Sequence, residues 1–123
     1  AIAAEVPEDL SDVLRFTPRE LRRLSRTDLL AVISAGEALR QATEGGASPL
    51  PAGRTAVTSG SSTGGLLEGE TFYLKRRERG RRKTAPSSVL QQPTSGPSDA
   101  VAKLYRLGGG MFTNAKVCSE EVG

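Results

Sequence analysis

Apolar positions in the first third of the chain recur with a helical period. After Pro7-Glu8-Asp9, Leu10, Val13 and Leu14 fall at i, i+3 and i+4, the spacing of one helix face. Thr17-Pro18-Arg19-Glu20 then carries a start signal. Thr17 can accept from the third amide of a helix, Pro18 suits its first position, and Glu20 can reach back to the cap. Phe16 and Leu21 flank this box as a hydrophobic staple would. Ser25-Arg26-Thr27-Asp28 repeats the capping logic, and a longer apolar series follows through Leu29, Leu30, Val32, Ile33 and Leu39. Gly36 interrupts it at a cost of about 1 kcal/mol relative to Ala, and Gly45-Gly46 stops it. Residues 1–45 therefore read as a helical module of two to three short helices sharing one apolar cluster.

The pattern then fades. Residues 46–70 are dominated by Gly, Ser, Thr, Pro and Ala, including Ser59-Gly60-Ser61-Ser62-Thr63-Gly64-Gly65, and read as a linker that buries little. Two short strands are expected near it, Thr55–Thr58 and the more aromatic Thr71–Leu74. They could pair as a short β-hairpin across a loop of about a dozen residues, long for that motif. Residues 71–83 form an aromatic and arginine-rich arm, and residues 84–97, with Pro86, Pro93 and Pro97, a second linker. Residues 98–123 give a short helix from Ser98 to Leu107, stopped by Gly108-Gly109-Gly110, and a tail. The expected fold class is mainly α: a small N-terminal helical module, then an extended, largely irregular middle and C-terminal arm rich in Gly, Ser and Pro. No internal repeat is visible.

Composition narrows the chemistry. The chain has 123 residues, room for one modest domain. It holds no His and one Cys. That removes the usual general base, the Ser-His and Cys-His pairs, an internal disulfide and a zinc site. No catalytic residue, metal or cofactor is expected. Apolar runs are too short to span a membrane, and Ala1 to Val6 lack the features of a secretory signal. A start at Ala1 fits a processed product, a fragment or a chain that lost its Met.

Charge sharpens the picture. Residues 1–50 carry six Arg against eight acids, residues 51–83 eight cations against three, and the remainder balances. The excess lies in Lys75-Arg76-Arg77-Glu78-Arg79-Gly80-Arg81-Arg82-Lys83. Guanidinium forks match phosphate oxygens, and clustered cations gain affinity for a polyanion by releasing its counterions. Arg76, Arg77, Arg79, Arg81 and Arg82 are expected to clamp phosphates, with Lys75 and Lys83 adding point charge. Tyr73, and Phe72 beside it, could stack on bases. A solvated loop and a nuclear-import signal are the rival readings of this run.

Other motifs carry less. Arg22-Arg23-Leu24-Ser25 has a basophilic kinase-site shape, against which Ser25 already serves as a cap. Gly60–Gly65 and Gly108–Gly110 lack the Lys-Ser or Lys-Thr of a phosphate loop, and neither sits between an expected strand and helix. Cys118 reads as a passive thiol, Glu120-Glu121 as a solvated tail, and Arg19, Arg22, Arg23 and Arg26 as partners for intrahelical acids.

The expected function is a non-enzymatic structural or accessory subunit of a larger assembly, a virion or ribonucleoprotein. It would bind nucleic acid, RNA above all, without sequence specificity and alongside other protein subunits. No membrane and no small-molecule substrate enter this reading. Its setting would be intracellular, whether nucleus, cytoplasmic particle or virion. The alternative is an adaptor whose helices from Pro7 to Gly45 dock on protein partners while the basic run serves import or solubility.

Overall fold

The computed structural model describes residues 16–46, 50–80 and 86–114. The helix expected around Leu10–Leu14 lies outside them, as do Arg81, Arg82, Lys83, Cys118 and Glu120-Glu121. Four α-helices and one small parallel sheet are found among the described residues, so the chain is mainly helical.

Both N-terminal start signals fold as their side chains dictate. In α1 (Pro18–Leu21), Thr17 and Glu20 form a reciprocal capping box. In α2 (Arg26–Glu44), Ser25 and Asp28 do the same. The Ser25 amide donates to Asp28 Oδ2 at 2.8 Å, and the Asp28 amide to Ser25 Oγ at 3.1 Å. The second box is buried: Ser25 is fully enclosed, which fits its role as a cap and not that of an open kinase site. Gly45 closes α2 as its sequence foretold.

The expected hairpin is not formed. β1 is Val57–Gly60, shifted two residues toward the C-terminus from the expected Thr55–Thr58. It pairs in parallel with β2, Met111–Asn114, in the register Val57↔Met111 to Gly60↔Asn114. Thr71–Leu74, expected as a strand, lies inside α3 (Leu66–Arg79). The reason is periodicity. Gly65, Gly69 and Phe72 are buried and Arg76 half-buried, a helical stripe, while the flanking Glu, Lys and Arg residues favour a helix. An aromatic pair with one ring inward and one outward satisfies either geometry, so it misleads when read alone.

α4 runs Gly96–Leu104, starting two residues earlier than expected, with Pro97 in its first turn. Ser98 is therefore not its cap. The Ser98 hydroxyl donates to the Ser95 carbonyl at 3.0 Å and lies 2.9 Å from Thr113 Oγ1, fastening α4 to β2. The glycine triplet does not stop the helix either. Arg106 takes the left-handed conformation at φ 56°. The amides of Arg106 and Leu107 bond back to the Lys103 and Ala102 carbonyls at 3.3 and 2.8 Å, a Schellman stop. The triplet instead lets two backbones approach. Gly108 and Gly109 donate to the Ala52 and Thr55 carbonyls at 2.8 and 3.0 Å, and a Cβ on Gly109 would lie 2.6 Å from the Thr55 carbonyl carbon.

The core forms where α2 crosses α4, around Val32, Ala100 and Val101. Tyr105 closes one end: its hydroxyl donates to the Val32 carbonyl at 3.0 Å, and its ring meets Phe16 edge-on at 5.7 Å. Gly36 is the residue that lets this ring in, because a Cβ there would collide with the Tyr105 oxygen. α4 covers one face of the sheet. On the other face Thr58 and Phe112 are exposed, Phe112 by 60%.

Candidate functional site

The chain from β1 to α3 passes through Ser61-Ser62-Thr63-Gly64-Gly65. The glycine cluster thus does join a strand to a helix, contrary to expectation, because the strand before it and the helix after it were both misplaced in the sequence reading. Gly64 adopts φ 53°, and a Cβ there would lie 2.8 Å from the Gln92 and Pro93 carbonyl oxygens. A Cβ on Gly65 would run into the Gln91 carbonyl. Only glycine lets this loop press so closely on residues 91–93.

Polar contacts fix the loop from the side of α2. The Thr27 hydroxyl donates to the Gly64 carbonyl at 3.2 Å, and the Arg26 amide to Glu68 Oε1 at 2.8 Å. Gly64 itself donates to Ser61 Oγ at 3.1 Å. Gln91 Nε2 donates to the Leu24 carbonyl at 3.1 Å, which holds the 3-10 segment Pro86–Gln91 in place.

An open cleft of about 510 Å³ lies beside this junction, lined by Thr63, Gly65, Leu66, Gly69, Glu70, Tyr73 and Gln92. Its walls are mostly apolar. Gly69 leaves room for the Gln92 side chain, whose Cγ and Cδ would sit 3.5 Å from a Cβ there. Gln92 Nε2 is buried and makes no hydrogen bond among the described residues. Gly65 gives α3 no side-chain cap, so the positive end of the helix dipole opens beside the cleft. A mostly apolar wall suits an elongated apolar group.

The basic residues sit elsewhere. Lys75, Arg76, Arg77 and Arg79 occupy the last turns of α3, where cations complement the helix dipole. Successive helix positions turn by about 100°, so Lys75 and Arg79, four apart, share one side of α3, Arg76 lies toward the protein body, and Arg77 faces away from them. Arg76 is half-buried and the others exposed. Tyr73 is exposed, but Phe72, its edge-on neighbour at 5.7 Å, is buried and unavailable for stacking. No group of three His, Cys, Asp or Glu side chains able to hold a metal occurs among the described residues. No described helix is long and apolar enough to cross a membrane.

Sequence reasoning missed Gln92 and the glycine junction as a site. The order Val57–Gly60, glycine cluster, Leu66 onward was the available signal, hidden by assigning Thr71–Leu74 to a strand.

No protein-family model matches the chain, and no curated protein matches it. Solved structures do match. The chain is similar to a β-ketoacyl synthase from Burkholderia phymatum STM815, with a TM-score of 0.68 at 20% sequence identity. The likeness covers 91% of this chain and 28% of that one, so the chain spans little more than a quarter of its neighbour's length. This finding overturns the expected nucleic-acid-binding particle subunit: the fold is shared with part of a β-ketoacyl synthase, and the supposed arginine arm begins as ordinary helix packed on the body of the protein.

Proposed function

We propose that this chain forms one portion of a β-ketoacyl-synthase-like enzyme and contributes a wall of its acyl-binding cleft. The observation that carries the reading is the fold likeness over 91% of the chain. Two physical features support it. A parallel sheet is ordinarily covered on both faces, whereas this one has two strands and an exposed Phe112 on the face away from α4. Such a sheet suits a larger fold. The cleft between α3 and Gln92 offers apolar contact to an acyl chain.

In this reading Cys118 is the acyl-carrying group, as the one thiol in a chain without His and the most nucleophilic side chain it offers. The Cys118 thiolate would attack the carbonyl carbon of an acyl thioester. The bond from acyl carbon to Cys118 sulfur forms, the bond to the carrier sulfur breaks, and the carrier leaves as a thiolate that takes up a proton.

Titration of the chain with a medium-chain acyl thioester, followed by amide NMR, tests the cleft. Shifts are expected at Gly65, Leu66, Gly69 and Gln92, weakened in Gly69→Val. Intact-mass analysis should show one acyl group added to the parent and none to Cys118→Ser. Absence of both binding and acylation overturns the reading.

A further inference from the structure

Two walls meet at the mouth of the cleft, and neither holds the other. One is the glycine loop with the first turn of α3, and the other is residues 91–93. They touch closely, since a Cβ on Gly64 or Gly65 would run into the carbonyls of Gln91, Gln92 and Pro93. Yet no backbone hydrogen bond joins residues 61–69 to residues 91–93 among the described residues, and Gln92 Nε2 bonds to neither wall. Each wall is tied instead to one short stretch, residues 24–27, at the buried start of α2. Gln91 Nε2 donates to the Leu24 carbonyl at 3.1 Å, the Thr27 hydroxyl to the Gly64 carbonyl at 3.2 Å, and the Arg26 amide to Glu68 Oε1 at 2.8 Å. A Cβ on Gly65 would also lie 3.2 Å from Ser25 Cβ.

These three links are unequal. The Gln91 and Thr27 bonds join neutral groups. The Glu68 bond is charge-assisted, the shorter and stronger class, and it is partly buried, where the low dielectric strengthens it. It also falls where α3 is weakest. The helix starts at Leu66 without a side-chain cap, and the first amides of a helix have no acceptor within it. The first bond of its ladder is the Gly69 amide to the Gly65 carbonyl at 3.0 Å. Glu68 pins this turn, the part of a helix that opens most readily, and Glu68 itself does not line the cleft.

We infer that Glu68 is the positioning residue of this site: through the Arg26 amide it holds the first turn of α3 and the glycine loop at the distance from residues 91–93 that keeps the cleft formed, without touching its ligand. The inference rests on the acyl-binding reading only for the identity of that ligand. The role is that of an acceptor, so a neutral oxygen serves nearly as well. Loss of the charge also relieves the repulsion between Glu68 and the buried Asp28, which offsets part of what a weaker bond loses.

Amide hydrogen exchange of the ligand-free chain, followed by NMR, reads the positioning directly. The reporters are the Gly69 amide and the Tyr105 amide, which donates to the Val101 carbonyl at 3.0 Å at the end of α4. Glu68→Ala should speed exchange at Gly69 about tenfold or more and leave Tyr105 within about twofold. Glu68→Gln should stay within about threefold of the parent at both. Thr27→Val, which removes the weaker link alone, should speed Gly69 about two- to fivefold, and it takes the place of Glu68→Ala should that variant fail to fold. Titration with an octanoyl thioester then reads the cleft. Affinity should fall about fivefold or more in Glu68→Ala and return to within about twofold of the parent in Glu68→Gln. Unchanged exchange at Gly69, equal acceleration at Gly69 and Tyr105, or a faster first turn with undiminished thioester affinity overturns the inference. A parent chain that binds no thioester overturns the acyl reading instead, and the exchange comparison alone then decides the place of Glu68.

Discussion

The two sides of this protein invest their apolar residues differently. Where α2 meets α4, small residues let the backbones close in, Val32 is fully enclosed, and the Tyr105 hydroxyl ties one helix end to the other helix's carbonyl. α3 buries Gly69 and Phe72 and turns three leucines and a tyrosine to solvent or into an open cleft. Among the described residues the first side is the core cluster of Val32, Ala100 and Val101. The second leaves its apolar side chains uncovered among the described residues: Leu66 and Tyr73 line the cleft, and Leu67 and Leu74 are exposed. The contrast teaches that apolar content alone does not locate the core of this chain. What locates it is the presence of small residues opposite large ones, as Gly36 stands opposite Tyr105.

The sharpest way to break that contrast is to place the same charge on both sides. Val32→Asp sets an unpaired carboxylate in a fully enclosed position and should cost about 3–5 kcal/mol, enough to unfold a marginal chain. Leu74→Asp should shift stability by no more than about 0.5 kcal/mol, as exposed substitutions do. Urea denaturation checks the pair. Equal losses would mean that α3 belongs to the core as fully as α2 does.

Glycines give a second, smaller comparison. Gly65→Ala meets the Gln91 carbonyl, which is backbone and cannot turn aside, so about 2–3 kcal/mol should be lost. Gly53→Ala has nothing within 4 Å to meet and should lie within about 0.5 kcal/mol of the parent. Gly36→Ala falls between them, because its obstacle is the Tyr105 hydroxyl alone. Tyr105→Phe removes that oxygen at the cost of one hydrogen bond, about 1 kcal/mol. Introduced on top of Tyr105→Phe, Gly36→Ala should lose most of its penalty, a coupling of about 1–2 kcal/mol in a double-mutant cycle. Strict additivity would show that the ring does not set the spacing there.

Much of the α2 side was legible in the sequence, and the α3 side was not. Thr17-Pro18-Arg19-Glu20 and Ser25-Arg26-Thr27-Asp28 fold locally, through contacts three residues apart, so their meaning survives without knowledge of the rest. Gly36 looked like a weakness and is an accommodation for a residue far along the chain. β2 carried little signal: Met111-Phe112-Thr113-Asn114 becomes a strand because Val57–Gly60 lies alongside it, a pairing that only the whole fold creates. The same holds for the cleft. Gln92 is chemically ordinary until the glycine loop presses against it and leaves its amide without an acceptor. The basic run misled for the opposite reason. Its charge density was plain, but the helix that spreads Lys75, Arg76, Arg77 and Arg79 around an axis was hidden by the strand-like Thr71–Leu74.

The smallest expected effect separates the two capping boxes, which share a motif and differ in surroundings. Glu20 is exposed, and its hydrogen bonds from the Thr17 side chain and amide hold its pKa below the ordinary 4.5. Asp28 makes the matching bonds to Ser25, yet burial outweighs them and pushes its pKa above the ordinary 3.8, with Glu68 and Asp99 adding repulsion. The linkage signs are therefore opposite. Glu20 binds its proton less readily folded than unfolded, so its contribution is present above its unfolded pKa and is lost as pH falls through the lowered value. Asp28 binds its proton more readily folded than unfolded, so its contribution is full below its unfolded pKa and declines as pH rises through the raised value. Thermal unfolding from about pH 7 to about pH 3.5 brackets the ordinary carboxylate range. On acidification the melting temperature of the parent should gain on that of Asp28→Asn and fall back relative to that of Glu20→Gln. If both differences move in the same direction, burial does not dominate at Asp28, and the inner cap is no more a part of the core than the outer one.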